Sequence, residues 1–152
     1  MFERSIRGAR NAAATGLIVE WVDEFLSSGL GSNPPMAIGL RKQRRWWIGP
    51  IALPVDSLQR LSGPEPEMQY RESVEDFEGH VAAIMTADAE HLPPLILEYR
   101  GRGAPLGMHD GSHRHEALRR LGASHVWVLI WCNNEEDLRE AIYAYPDAEE
   151  HG

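Results

Sequence analysis

Met108-His109-Asp110-Gly111-Ser112-His113-Arg114-His115-Glu116-Ala117-Leu118-Arg119-Arg120-Leu121-Gly122 is the stretch whose reading decides the fold. Leu95-Ile96-Leu97 precedes it and Val126-Trp127-Val128-Leu129-Ile130-Trp131 follows it. Both runs are rich in branched and aromatic residues and short enough to be strands. Between them Ala117, Leu118 and Leu121 fall at helical spacing, and Gly122 supplies a C-terminal stop. The predicted unit is strand, tight turn at Asp110-Gly111, helix, strand. Such a turn brings polar side chains and unpaired backbone N–H groups to the amino end of a helix, where amides and dipole favour an anion.

Working outward, residues 95–99 read as a strand, residues 100–104 as a hairpin-like loop, and residues 105–110 as the strand that delivers the turn. Asn133 or Asn134 caps a last helix over residues 135–143, and the acidic tail from Pro146 is expected to fray. Ser73-Val74-Glu75-Asp76 resembles a capping box with Asp in place of Glu, opening a helix that carries Val74, Phe77, Val81, Ile84 and Met85 on one side. Gly49-Pro50 opens a unit in which Ile51-Ala52-Leu53 is a strand, residues 54–58 a short helix entered through proline, and residues 62–67 a loop. Residues 9–26 read as one helix with an apolar stripe of Leu17, Ile18, Trp21, Val22, Phe25 and Leu26. That stripe must pack on the main sheet or on a second copy of the chain. Asn33-Pro34-Pro35 breaks the chain. Met36-Ala37-Ile38-Gly39-Leu40 then reads as a strand, paired through a basic turn with Arg45-Trp46-Trp47-Ile48 as a hairpin.

With 152 residues, 43% of them hydrophobic and 25% charged, the chain has the makings of one globular domain with a real core. A formal charge of -8 argues against broad nucleic-acid binding. The charge is uneven: residues 1–63 carry a net +3 and residues 64–152 a net -11. The single cysteine, Cys132, excludes an internal disulfide and fits a reducing cytoplasm. No apolar run approaches the roughly 20 residues of a membrane span. Residues 1–10 contain no signal-peptide core, so a cytoplasmic protein is expected.

Asp110-Gly111-Ser112-His113-Arg114, followed by Ala117, resembles the signature of the ParB/sulfiredoxin superfamily. Leu92-Pro93-Pro94-Leu95-Ile96 before it and Leu118-Arg119-Arg120-Leu121-Gly122 after it add to the likeness, which covers roughly residues 49–143. The resemblance implies a small α+β domain, a mixed sheet with surrounding helices, and a nucleotide-phosphate site at this turn. It implies that Gly111 and Ser112 offer backbone amides and that His113 and Arg114 neutralise phosphate, with Ala117 completing the site. Arginine suits that work as a planar bidentate donor, and histidine can act as acid or base near neutral pH. Sulfiredoxins carry a catalytic cysteine where this chain has Ser112, so sulfinic-acid repair is not expected. Chromosome-partitioning ParB proteins carry a glutamate there and a helix-turn-helix domain downstream, for which the chain has no room. Free-serine kinases of this fold carry the Asp-Gly-x-His-Arg form found here, and need a carboxylate base from elsewhere.

Asp110 holds Mg²⁺ or orients His113, or else it caps the following helix. Glu116 reads as a solvated helix face and Asp56 as an N-terminal helix charge. Glu65 and Glu67 lie in a loop, and Glu98 alternates with buried strand positions. His109, His113 and His115, spaced by four and then two along strand, turn and helix, make no standard zinc set. His115 reads as solvated, Arg119 and Arg120 as an exposed face, and Cys132 as a small buried hydrophobe. In Arg44-Arg45-Trp46-Trp47, strand packing of the tryptophans weighs above stacking on a nucleic-acid base.

The expectation is an α+β domain over residues 49–145 with an N-terminal helical and hairpin extension over residues 1–48 and an acidic tail over residues 146–152. Its function is either phosphoryl transfer to a small hydroxyl compound or nucleotide hydrolysis, or else non-enzymatic nucleotide switching, DNA binding or protein interaction. In the enzyme version Asp110 and His113 are catalytic, and the cofactors are ATP, ADP or CTP with Mg²⁺ held by Asp110. Gly111, Ser112, His113, Arg114 and Ala117 bind the nucleotide. A homodimer through the 17–26 helix is the oligomer considered. No membrane partner is expected, and nucleic acid is not favoured.

Overall fold

A computed structural model describes residues 1–29, 31–148 and 150–151. In chain order the elements are α1 (Ile6–Ala14), α2 (Ile18–Ser27), α3 (Pro34–Arg41), β1 (Trp46–Pro54), a 3₁₀ turn (Val55–Ser57), β2 (Ser62–Gly63) and β3 (Tyr70–Arg71). They continue as α4 (Val74–Met85), a second 3₁₀ turn (Ala89–His91), β4 (Leu95–Glu98), β5 (Gly107–Asp110), α5 (Ser112–Arg120), β6 (His125–Cys132), α6 (Glu135–Ala144) and β7 (Glu150–His151). Five of these strands form one sheet in the order β5-β4-β6-β1-β7. β4 and β6 are parallel and the other pairs antiparallel, so the class is α+β with a mixed sheet.

The side-chain alternation of the strands assigns each sheet face its own core. Ile48, Leu95, Leu97, Val128, Ile130 and Cys132 point to a core shared with Leu118 of α5 and Ala141 of α6. Trp47, Ile96, Leu129 and Trp131 point the other way, to a core built with Ile18, Trp21, Val22, Phe25 and Leu26 of α2. A strand buried on both faces reads as a continuous apolar run, and this is why Val128 to Cys132 is uninterrupted. The apolar stripe of α2 is therefore spent on the chain's own sheet.

Several expectations are corrected. The helix expected over residues 9–26 is two helices, parted at Thr15-Gly16-Leu17, with Gly16 at φ +75°. The hairpin at residues 36–48 does not form: Met36 to Leu40 lie in α3, because Asn33 accepts a hydrogen bond from the Met36 amide and Pro34 and Pro35 fill the first helical positions. Gly49-Pro50 does not open a new strand. It sits where the β1–β6 ladder skips between Ile48 and Ile51, so β1 runs across residue 48. The tail does not simply fray: Glu150 and His151 pair with β1, and the His151 ring bonds the Gly49 carbonyl at 2.8 Å. Glu149 and Gly152 lie outside the described residues. The expected caps at Ser73 and Asn134 are present, each accepting from a backbone amide of the first turn. Among the described residues no helix is long and apolar enough to cross a membrane.

Candidate functional site

β5 ends at Asp110 and α5 begins at Ser112, with Gly111 between them as N-cap at φ +108°. The glycine is required twice over. Its dihedral lies in the left-handed region, and a Cβ there would run into Leu95 Cδ2 and stand 3.1 Å from Arg114 Nη2. Because the N-cap residue has no side chain, nothing at that position accepts from the first-turn amides of α5. Asp110 is not the cap.

From this turn the two basic residues diverge. Arg114 folds back beside Gly111 and is largely buried. Its Nη2 donates to Asp110 Oδ2 at 3.0 Å and to the Pro94 carbonyl at 2.9 Å, while its Nε is buried without a hydrogen-bond partner. Its guanidinium lies 5.5 Å from the Phe25 ring of α2, and Arg4 lies 4.3 Å from the same ring. Burial, and then the nearby charge of Arg114, lower the pKa of Arg4. Two guanidinium groups far apart in sequence thus share the Phe25 ring, and Arg4 also donates to the Phe25 and Ser28 carbonyls at 2.8 and 2.6 Å. Asp110 is buried and shared with Arg114, an arrangement that suits a water-rich Mg²⁺ shell poorly.

His113 faces α4 instead. Its Nε2 lies 2.6 Å from Glu72 Oε1, and its ring packs 4.6 Å from His80 and 5.4 Å from Phe77. Ala117, one turn on, is buried against Phe77 and Val81; its small side chain lets α4 approach α5. Ser112 is buried at the start of the helix.

Glu116 and His115 correct the expectation of a solvated face. Glu116 is 4% exposed, bonded by Arg119 at 2.6 Å and by Arg120 at 2.7 Å, with Arg60 Nε 3.8 Å away. Hydrogen bonds from Arg119 and then Arg120 bring its carboxyl down to about 2, against the opposing effect of burial. His115 is buried and its Nε2 meets the Val55 carbonyl at 2.9 Å; burial lowers its pKa. Arg119 remains half exposed, while Arg120 crosses to Glu78 of α4.

Two other candidate carboxylates are held. Glu65 pairs with Arg60. Glu98 contacts His109 at 3.0 Å and accepts from Asn133 and Arg100. Burial pushes its carboxyl up, but these three hydrogen bonds outweigh burial and keep it below the ordinary value. His109, His113 and His115 are thus sent to separate partners. Arg45 bonds Asn133 and the Gly39 carbonyl, Arg44 covers Trp46, and Trp47 is buried near Trp131. Burial pushes the Cys132 thiol up to about 12, so it behaves as an inert hydrophobe.

Sequence reasoning missed Arg4, just before α1, and Phe25 of α2, which pack beside Arg114, and Glu72, just before α4, and His80 of α4, which meet His113. No spacing rule links these residues to the turn. The one available cue was a histidine, His80, next to the apolar Val81 on a capped helix. No protein-family model matches the chain, and no curated protein matches it.

Proposed function

We propose that the amino end of α5 binds the phosphate groups of a nucleotide and that the chain is a nucleotide-phosphate-binding protein of ParB/sulfiredoxin type. The observation that carries this reading is the Arg114 guanidinium folded beside Gly111, with a buried Nε that has no acceptor, at the start of a helix whose N-cap residue offers no side chain. A phosphate oxygen would accept from the first-turn amides, with the Arg114 charge beside them, and a small turn of its head would bring the orphaned N–H to the same anion. His113 adds a ring nitrogen that can donate, and the nearby Arg4 adds positive charge.

Turnover, as phosphoryl transfer to a small hydroxyl compound or to water, requires a carboxylate not already committed to arginine. Asp110, Glu65 and Glu116 are committed; Glu72, at 2.6 Å from His113, is the group so placed. Catalysis of this type is chiefly positioning and charge stabilisation.

Thermal unfolding with ATP, ADP, CTP and GTP, each with and without Mg²⁺, tests the reading on wild type and His113→Ala. A nucleotide at a hundredfold excess over its Kd adds about 2.7 kcal/mol of stability. A rise in midpoint with one nucleotide that shrinks in His113→Ala is the expected result. No rise with any of them overturns the reading.

A further inference from the structure

Glu72, His80 and His113, the last of them also facing the proposed phosphate site, each offer one donor atom, and these atoms all lie within 4.8 Å of one another. We infer that this trio is a binding site for a divalent transition metal of the zinc class. The inference stands on these side chains alone and does not need the nucleotide.

The donor set selects the ion. Two imidazoles and one carboxylate suit zinc, cobalt or nickel, whereas magnesium and calcium take oxygen donors. Three protein ligands leave a fourth position for water or an anion. Zinc bonds of about 2.0–2.1 Å place tetrahedral ligands roughly 3.4 Å apart. The Glu72–His113 pair at 2.6 Å must open and the remaining donors close, each by about an ångström or so, which side-chain rotation supplies.

The supports are rigid where it matters. His80 and His113 project from α4 and α5, which are clamped by Phe77, Val81 and Ala117 and by the Arg120–Glu78 pair at 2.6 and 2.8 Å. Glu72 precedes α4, and its amide is tied to the Gly63 carbonyl at 3.1 Å. His80 is exposed and gives the ion an entry path. It makes no hydrogen bond among the described residues, while its ring lies 4.6 Å from His113 at 39°. Two basic rings beside one carboxylate, one of them without a polar partner, is an arrangement that a cation completes.

Chelator-stripped full-length chain is titrated with Co²⁺, followed by visible absorption, and then with Zn²⁺ in competition. Expected are one equivalent of Co²⁺ with the intense bands of a low-coordinate site, and stoichiometric displacement by Zn²⁺. Loss of outer-shell partners alone costs 10–100-fold in affinity, so removing a direct ligand in His80→Ala or Glu72→Gln is expected to cost at least about 100-fold. His80 is exposed, so His80→Ala keeps the fold, which an unchanged metal-free Tm verifies. His125→Ala, on the exposed end of β6, controls for stray histidine binding and is expected to leave the titration unchanged. Absence of a saturable single equivalent, or affinity equal to wild type in both His80→Ala and Glu72→Gln, overturns the inference.

Discussion

Arg114 joins the end of β5 to the entrance of β4 through a single nitrogen, whose hydrogen bonds run 3.0 Å to Asp110 and 2.9 Å to the Pro94 carbonyl. Both partners of the ion pair are about nine-tenths buried. Removing one side of such a pair strands a buried charge and costs about 3–5 kcal/mol. Arg114→Ala is therefore expected to lose that much in urea unfolding. Asp110→Asn combined with Arg114→Ala is expected to lose less than the sum of the single changes, because the stranded charge is gone. A double-mutant cycle with additive losses would show that the pair does not couple.

Gly111 and Gly122 bracket α5, and both have positive φ, +108° and +81°. They differ in what surrounds them: a Cβ at Gly111 meets Leu95 and Arg114, whereas one at Gly122 meets nothing within 4 Å. Gly122→Ala is expected to cost about 1–2 kcal/mol from the left-handed backbone alone. Gly111→Ala adds overpacking of a further 1–3 kcal/mol or so, and shifts the Arg114 head. The comparison is made by chemical denaturation of the two variants. Equal losses would mean that Leu95 yields to the added methyl.

The elements that could be read in the sequence are those whose signals are local. Ser73 and Asn134 announce α4 and α6 through their caps, and the Asp110-Gly111 turn announces α5. α3 was misread because five residues, Met36 to Leu40, are too few for periodicity to separate helix from strand. The Asn33-Pro34-Pro35 start signal held the answer. Gly49-Pro50 looked like a break because proline cannot donate to a ladder, yet β1 passes through it where the register skips. At the site, the turn and its glycine were legible, but adjacent helical positions point about 100° apart. His113 and Arg114 therefore separate, and their partners arrive from remote segments. Glu116 looked solvated because Arg60, which helps cover it, belongs to a loop with no helical pattern of its own.

Glu116 makes stability fall in acid. Its carboxyl moves from an ordinary 4.5 to about 2 in the folded chain, so the unfolded chain binds the proton first. The stabilisation is fully present above about pH 4.5 and is lost as pH falls towards 2. Its size is at most about 3 kcal/mol, because Arg119 and Arg120 are partly in water. Glu116→Gln is expected to be less stable than wild type at pH 7, with the gap closing by pH 2.5. Equilibrium unfolding across that range measures it, and a gap that stays constant with pH would contradict the ionic account.

Trp21 tests whether the N-terminal helices are a layer of the fold or an addition to it. Its indole is 1% exposed, stacks on Phe25 at 4.9 Å with the rings 9° from parallel, and donates to the Glu3 carbonyl at 2.9 Å. Around it, α1 and α2 cover Trp47, Ile96, Leu129 and Trp131 of the sheet, and Phe25 closes over Arg114. Trp21→Ala removes one of the three tryptophans of this core and is expected to cost about 3–5 kcal/mol. Trp21→Phe keeps most of the packing and loses the hydrogen bond, for about 1 kcal/mol. A chain starting at Arg45 would expose one whole apolar face of the sheet, and is expected to lose cooperative unfolding and to aggregate. If that shortened chain instead unfolds in one sharp transition with near-native stability, the second face of the sheet does not need its cover, and the closure of Phe25 over Arg114 would be incidental to the fold.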